Sequence, residues 1–228
     1  LQPIVEAKTG EPAFFEALVR MRARDGAILG PADILPAAED SGLVADLDQR
    51  VLELALSYLS KLAQPAAISV NVSGPSLHDP QWPARVEAAL KGRETLARQL
   101  ILEITETSAI ADLDAAACTL ARVRASGCQI AMDDFGAGHT SFRNLRALDI
   151  DIVKIDGAFV RNLVDSTDDQ FFVQTLHDLA RRIGARTVAE WVENADCASL
   201  LAQWGVDYLQ GAYFGMPRDV RHDLDVPQ

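Results

Sequence analysis

The sequence predicts an α/β fold, a (β/α)8 barrel of the TIM type whose first strand is antiparallel to the others. Three observations predict it. Eight short apolar, β-branched runs are spread along the 228 residues, and eight strands close such a barrel, which commonly uses about 250 residues as one unit. Stretches with a helical period separate most of these runs, the alternation that parallel α/β folds require. Only a short turn-like segment separates the first run from the second, whereas a parallel crossover needs about a dozen residues or more.

The strand-like runs are Leu1–Val5, Phe14–Met21, Ala67–Val72, Leu100–Thr105, Gln129–Met132, Ile150–Ile155, Arg186–Ala189 and Val206–Leu209. Helical periodicity covers Leu47–Leu62, Pro83–Leu90, Leu113–Ala125, Phe171–Ile183 and Cys197–Trp204. Ala7–Pro12, with Thr9–Gly10 at its centre, reads as the turn of a hairpin. Reversing the first strand puts its beginning beside the end of the second, so Gln2 and Arg20 are expected on one rim. Side chains alternate along a strand, which sends Glu16, Leu18 and Arg20 one way and Phe15, Ala17, Val19 and Met21 the other. The apolar set suits packing under outer helices, so Glu16 and Arg20 are expected to face the barrel interior and its mouth.

A composition of 49% apolar and 24% charged residues, without repeats or low-complexity tracts, predicts one globular domain over residues 1–228. No apolar run approaches the roughly 20 residues of a membrane span, and the N-terminus lacks a signal-peptide pattern, so a cytoplasmic domain without membrane contact is expected. The chain opens on Leu1 in a strand-like run, which suggests a piece of a longer protein with partner domains upstream. Cys118, Cys128 and Cys197 show no metal spacing and read as buried thiols. A net charge of −12 disfavours binding to DNA or RNA polymers, because such binding neutralises phosphates with Lys and Arg. An anionic ligand would need a local reversal of sign.

Asn71, Glu103, Asp133, Asp134, Lys154, Glu190 and Gln210 fall at or near the C-terminal ends of the later runs, the barrel face where active sites of this fold gather. With Glu16, five carboxylates would meet there and repel one another unless cations or protons were bound. Ligands that are all oxygen, without matching Cys or His, favour Mg²⁺ or Mn²⁺. The four histidines, His78, His139, His177 and His222, occupy loop-like or helix-like places that suit surface or supporting roles. In Asp133–Asp134, one carboxylate could bridge two ions while its neighbour holds one, the arrangement of a phosphodiester-hydrolysing site. Taken singly, a carboxylate at a strand end is usually a cap or solvated, and Glu103–Ile104–Thr105–Glu106 has the look of a capping box. Seven polar residues on one rim are harder to explain that way.

The local sequences around these residues resemble, in order and over nearly the whole chain, the signature segments of the EAL domain family. They are Gln2–Val5, Phe15–Arg20, Val70–Ser73, Glu103–Glu106, Asp133–Gly138, Lys154–Asp156, Ala189–Glu193 and Gln210–Gly211. The resemblance implies a phosphodiesterase that opens cyclic di-GMP to linear pGpG with Mg²⁺ or Mn²⁺, two ions in all, and is inhibited by Ca²⁺. It implies metal ligation by Glu16, Asn71, Glu103 and Asp133, completed by Asp134 and Glu190. Lys154 and Glu190 would position or deprotonate the attacking water, with Gln210 supporting them. Glu106 would anchor the glycine-rich loop 135–141 over the metals and help the barrels form a homodimer. Gln2, Arg20, Asp48, Asp156, Trp191 and Gly211 would meet the substrate. Arg20 suits the nonreacting phosphate, and Asp48, with Asp46 as competitor, suits the N1–H and amino group of guanine. A sensory or GGDEF-type domain is expected upstream.

Two departures stand out. Trp191 replaces the Gly that commonly follows the water-activating glutamate, where an indole could stack on guanine or crowd Glu190. His139 and Thr140 replace the usual Tyr-Ser of the loop. These keep open a cyclic di-GMP receptor that binds without hydrolysis, although such receptors usually lose metal ligands and this sequence fills every ligand position. An unrelated barrel enzyme, such as a metal-dependent lyase, would require the ordered motifs to be coincidence.

Overall fold

The computed structural model describes residues 1–62, 66–137 and 142–219, with the side chains of 142–144 left aside. The chain opens with the hairpin β1 (Gln2–Glu6) and β2 (Pro12–Ala17), followed by a small ribbon, β3 (Met21–Arg22) with β4 (Ile28–Leu29). Helices α1 (Pro31–Asp40) and α2 (Val44–Leu59) lead to β5 (Ile68–Val72), and α3 (Gly74–His78), α4 (Trp82–Leu90) and α5 (Glu94–Arg98) lead to β6 (Leu100–Thr105). Next come α6 (Glu106–Ala111), α7 (Leu113–Ala125), β7 (Gln129–Phe135), α8 (Phe142–Leu148) and β8 (Ile152–Ile155). The chain ends through α9 (Gly157–Val160), α10 (Thr167–Arg182), β9 (Arg186–Ala189), α11 (Ala195–Trp204) and β10 (Tyr208–Gln210).

Eight strands close in the order β1-β10-β9-β8-β7-β6-β5-β2. β1 is antiparallel to both its neighbours, and the other pairings of the barrel are parallel, as the short first connection requires. Gly10 makes the hairpin turn at φ 72°, with its N–H donating to the Glu6 carbonyl at 2.8 Å, a left-handed position that costs glycine little.

The interior is layered. Ile4, Phe14, Ile101, Ala131, Ile152 and Val188 form one buried apolar layer, with Tyr208 packed against it; the Phe14 and Tyr208 rings meet edge to face at 5.3 Å. Because inward side chains recur every second residue, the next inward positions toward the mouth are Gln2, Glu16, Glu103, Asp133, Lys154, Glu190 and Gln210. Ser69 and Asn71 occupy the same parity on β5. The apolar layer is the floor on which the polar layer rests. Outside the barrel, Leu102, Ile104, Ile130, Met132, Val153 and Ile155 pack with Leu52, Leu56, Leu120, Val123 and Val173 of the surrounding helices. Burying each such aliphatic side chain contributes roughly 1.5–3 kcal/mol.

Several sequence expectations change. β2 stops at Ala17, because β1 begins at Gln2 and the Gln2–Glu16 pair is the last rung between them. Alternation therefore carries Glu16 inward but does not reach Arg20, which lies beyond the strand, exposed. β7 runs on to Phe135 with a shift in register between Met132 and Phe135. The last strand begins at Tyr208 rather than Val206, since Val206 is still tied to Leu201 at the end of α11. Cys118 is exposed, whereas Cys128 and Cys197 are buried, and all three thiols are free. Among the described residues, no helix is long and apolar enough to cross a membrane.

Gly211 follows β10 where a Cβ would fall 2.1 Å from the Val192 carbonyl oxygen and 2.3 Å from its nitrogen. Backbone cannot give way as a flexible side chain can, so Gly211→Ala should destabilise the fold by about 1–3 kcal/mol. The check is the denaturant midpoint; an unchanged midpoint would show that the two segments separate freely.

Candidate active site

Lys154 stands at the centre of the polar layer. Its side chain is 1% exposed, and Nζ lies 2.8 Å from Glu190, 2.9 Å from Glu103, 3.0 Å from Asp133 and 3.5 Å from Glu16. Burial disfavours the ammonium, but Glu103, Glu190, Glu16 and Asp133 together outweigh it and hold the lysine well above its ordinary pKa. One ammonium cannot neutralise four carboxylates. Burial accordingly pushes Glu103 up to about 7 and Glu190 up to about 8, against the pull of Lys154 in each case.

Glu16 is held from both sides. Gln210 Nε2 donates to Glu16 Oε2 at 2.6 Å and to Gln2 Oε1 at 3.3 Å, while Asn71 Nδ2 donates to Glu16 Oε1 at 3.0 Å. Gln2 in turn donates to the Gly215 carbonyl at 3.2 Å. With its NH₂ bonded to Glu16, the oxygen of the Asn71 amide is the atom that could serve a cation. Among the described residues, the buried Glu103 Oε1 has no hydrogen-bond partner, an orphaned acceptor of the sort that a cation satisfies.

Asp133, Asp134 and Glu190 each offer an oxygen within 4.8 Å of the others. Asp134 is in the left-handed region at φ 54°, and its pKa is raised by burial first and then by Asp133 and Asp156. This all-oxygen set suits Mg²⁺ or Mn²⁺ in charge and donor type.

Glu106 is the first residue of α6 and is buried; its Oε2 accepts from Gly136 N at 3.1 Å. The cap of that helix is Thr105, which accepts from Ser108 N at 3.3 Å, so the capping-box reading does not account for Glu106. Gly136 has φ 103°, and a Cβ there would come within 2.8 Å of Leu176. Gly138, His139, Thr140 and Ser141 lie outside the described residues, as does His222.

The remaining positions are more peripheral. Arg20 donates to its neighbour's carbonyl, Val19 O, at 2.8 Å. Asp48 lies within α2, not at its cap, and Oδ2 accepts from Ser73 N at 2.8 Å beyond β5; Asp46 is exposed in the first turn. Asp156 caps α9 by accepting from Ala158 N at 2.8 Å. Gly211 is required by the closeness of the Val192 backbone. Trp191, at φ 53°, is 46% exposed beside Glu190. His78 donates to the Ser108 carbonyl at 2.9 Å, and the buried His177 meets Thr187 Oγ1 at 2.9 Å, so both serve supporting roles. Sequence reasoning missed Ser69, fully buried below Asn71, which inward parity on β5 could have found. It also missed Gly157 and Arg161, which carry the Trp191 ring and which no local pattern marks.

The EAL domain model matches residues 1–217. The chain belongs to the EAL domain family. It is 35% identical over 215 residues to the cyclic di-GMP phosphodiesterase PdeF of Escherichia coli (strain K12), covering 93% of this chain and 29% of that protein. This EAL domain therefore spans less than a third of that relative's length. Among solved structures it resembles the PaMucR phosphodiesterase in complex with c-di-GMP, at TM-score 0.89 and 32% identity, covering 97% of this chain and 91% of that one. It also resembles the FimX EAL domain from Pseudomonas aeruginosa bound to c-di-GMP, at TM-score 0.85 and 27% identity, covering 93% and 86%.

The raised pKa values of Glu103 and Glu190 give the metal-free EAL domain a pH signature. A folded-state pKa above the usual carboxylate value means that the native state holds more protons than the unfolded one, so stability falls as pH rises toward about 7 and about 8. His177, lowered by burial, acts in the opposite sense, because the unfolded state then binds more protons and stability rises with pH, so a net fall is not its doing. With EDTA present, the melting temperature should fall between pH ~7 and ~8.5, and Glu190→Gln should flatten the slope. A flat wild-type profile would contradict the assignment.

Proposed function

We propose that this EAL domain is a metal-dependent phosphodiesterase that opens cyclic di-GMP to linear pGpG. The observation that carries the reading is the ring of carboxylates around Lys154 on the inward face of separate strands. Family membership and the c-di-GMP named in the two structural relatives support the choice of substrate.

Glu16, Asn71, Glu103 and Asp133, with Asp134 and Glu190, would hold two Mg²⁺ or Mn²⁺ ions. When bound, such ions polarise a phosphoryl oxygen and lower the pKa of a water ligand. Glu190 accepts the proton of the attacking water, and the Lys154 ammonium stabilises the negative charge that grows as the new P–O bond forms and one ester P–O bond breaks. Gln210 keeps Glu16 in place, and Glu106 fixes the start of the loop after β7 through Gly136. Gln2, Arg20, Asp48, Asp156, Trp191 and Gly211 surround the dinucleotide, with Arg20 swinging from Val19 to the nonreacting phosphate. Ca²⁺, which also takes oxygen ligands, would inhibit by competing for the same residues. The domain acts as a cytoplasmic homodimer following a sensory or GGDEF-type segment.

A second reading, reception without hydrolysis, is favoured by one observation: the strained Trp191 adjoins Glu190. Incubation with cyclic di-GMP and Mg²⁺ or Mn²⁺, followed by chromatography, separates the two. Accumulating pGpG that ceases with EDTA or Ca²⁺ is expected; bound but unchanged ligand would establish the receptor.

Lys154→Met should reduce kcat by about 10²–10³-fold, the usual cost of removing a preorganised charge-stabilising group. Glu16→Ala should raise the metal concentration needed for half-maximal turnover. Full activity of Glu16→Ala at ordinary metal concentration would count against its place among the ligands.

A further inference from the structure

We propose that Trp191, seated on Gly157 and Arg161, is a rigid stacking platform for one guanine base of cyclic di-GMP, with Arg161 the positioning residue that steadies it. The assignment rests on the cyclic di-GMP reading above and adds to it a subsite for one base.

The first support is the seat of the indole. A Cβ on Gly157 would fall 2.1 Å from Trp191 Cγ, 2.2 Å from Cδ2 and 2.6 Å from its Cβ. An approach within the ring plane would come nearer the Trp191 Cβ than these two ring atoms, so Gly157 lies against a face of the indole. Any larger residue at 157 would have to displace the ring. Arg161 extends the same seat: it is the helical C-cap of α9, four residues on, its N–H donates to the Gly157 carbonyl at 2.9 Å, and its Cζ is 4.6 Å from the ring centroid. Residues four apart share one side of a helix, so both contacts come from the α9 side. The cation–π contact restrains the ring without enclosing it.

The second support is exposure. With one face on Gly157 and Arg161, Trp191 still keeps 46% of its surface accessible, which leaves the opposite face open. Trp191 directly follows Glu190 in the chain, and Glu190 Oε1 is 2.8 Å from Lys154 Nζ. A planar base laid on the open face would sit at the edge of the reacting centre rather than over the carboxylates. Stacking holds any base through its π-face, so guanine is chosen by the ligand's other contacts and held in place by the indole.

The third support is the backbone. Trp191 takes φ 53°, a region costly for a bulky residue and freely available to glycine. Such strain persists where surroundings over-determine it and clusters at ligand clamps. Here the ring contacts and the Val192 N–H, donated to the Gln210 carbonyl at 3.0 Å, hold the residue in place.

Calorimetric titration of the wild-type domain and its variants with cyclic di-GMP tests the platform, with Ca²⁺ as the only divalent cation and chromatography afterwards to show the ligand intact. Trp191→Gly should weaken binding about ten- to hundredfold, without loss of fold because glycine suits the backbone. Trp191→Phe should retain most of the affinity while abolishing the ligand-induced quenching of tryptophan fluorescence, since Trp82 is buried and Trp204 ends α11, at the barrel end opposite the mouth. Arg161→Ala should weaken binding severalfold at unchanged melting temperature, and Arg161→Lys should restore it. Wild-type binding matched by Trp191→Gly, with or without faster turnover, overturns the platform and leaves the functional reading standing. Absence of wild-type binding overturns the cyclic di-GMP reading itself and the platform with it.

Discussion

A single buried ammonium surrounded by four carboxylates is the interaction on which the rest of the barrel mouth depends. Each carboxylate is brought out of water by the strand that carries it, and each would be expelled or protonated without a positive partner. Lys154 supplies that partner but cannot satisfy all four, which is why burial leaves Glu103 and Glu190 with raised pKa values. The site thus has an unmet demand for positive charge and oxygen-binding capacity. Divalent cations answer it in a way that more lysines would not, because they also accept several oxygen donors at once. The same deficit would let a chain of net charge −12 accept an anionic ligand once cations were bound.

The charged layer keeps its geometry because an apolar layer lies one inward step beneath it. Phe14 and Glu16, Ile101 and Glu103, Ala131 and Asp133, and Ile152 and Lys154 are successive inward residues on their own strands, and Glu190 continues the step from Val188 one residue past the end of β9. The antiparallel β1 contributes in reverse, with Ile4 on the floor and Gln2 above, and this lets Gln2 reach Gln210 and through it Glu16. The amide–carboxylate chain from Gly215 through Gln2 and Gln210 to Glu16 ties the C-terminal segment to the site. Close-packed side chains below and hydrogen bonds above leave few alternative rotamers for the functional groups.

Periodicity of two made this layer legible in the sequence, because it depends only on where a strand is and which face is apolar. It failed where regularity ends. The strand-like run Phe14–Met21 continues past the point where β1 can still pair, so Arg20 could not be placed by counting. Asp48 shows its role only in the fold, where it bridges α2 to Ser73, a tertiary contact with no local signature. Cys118 sits on a helix face whose outward direction depends on packing, and its exposure was not foreseeable from spacing. The seat of Trp191 is likewise tertiary: Gly157 and Arg161 are distant in sequence, and each is unremarkable alone.

Backbone irregularity, finally, resolves a difficulty with the paired aspartates. Adjacent residues on a regular strand point to opposite faces, so Asp134 should have been buried under the helices with Asp133 inside. The register shift in β7 and the left-handed backbone at Asp134 break the alternation and bring both carboxylates within reach of Glu190. The same device recurs after β9: Glu190 faces inward, and a left-handed Trp191 turns the chain so that its indole remains at the rim. In both strands the last inward carboxylate is followed at once by a residue that leaves the regular sheet conformation. A barrel made only of regular strands could deliver one side chain per strand to its mouth; these two departures let β7 and β9 deliver two each.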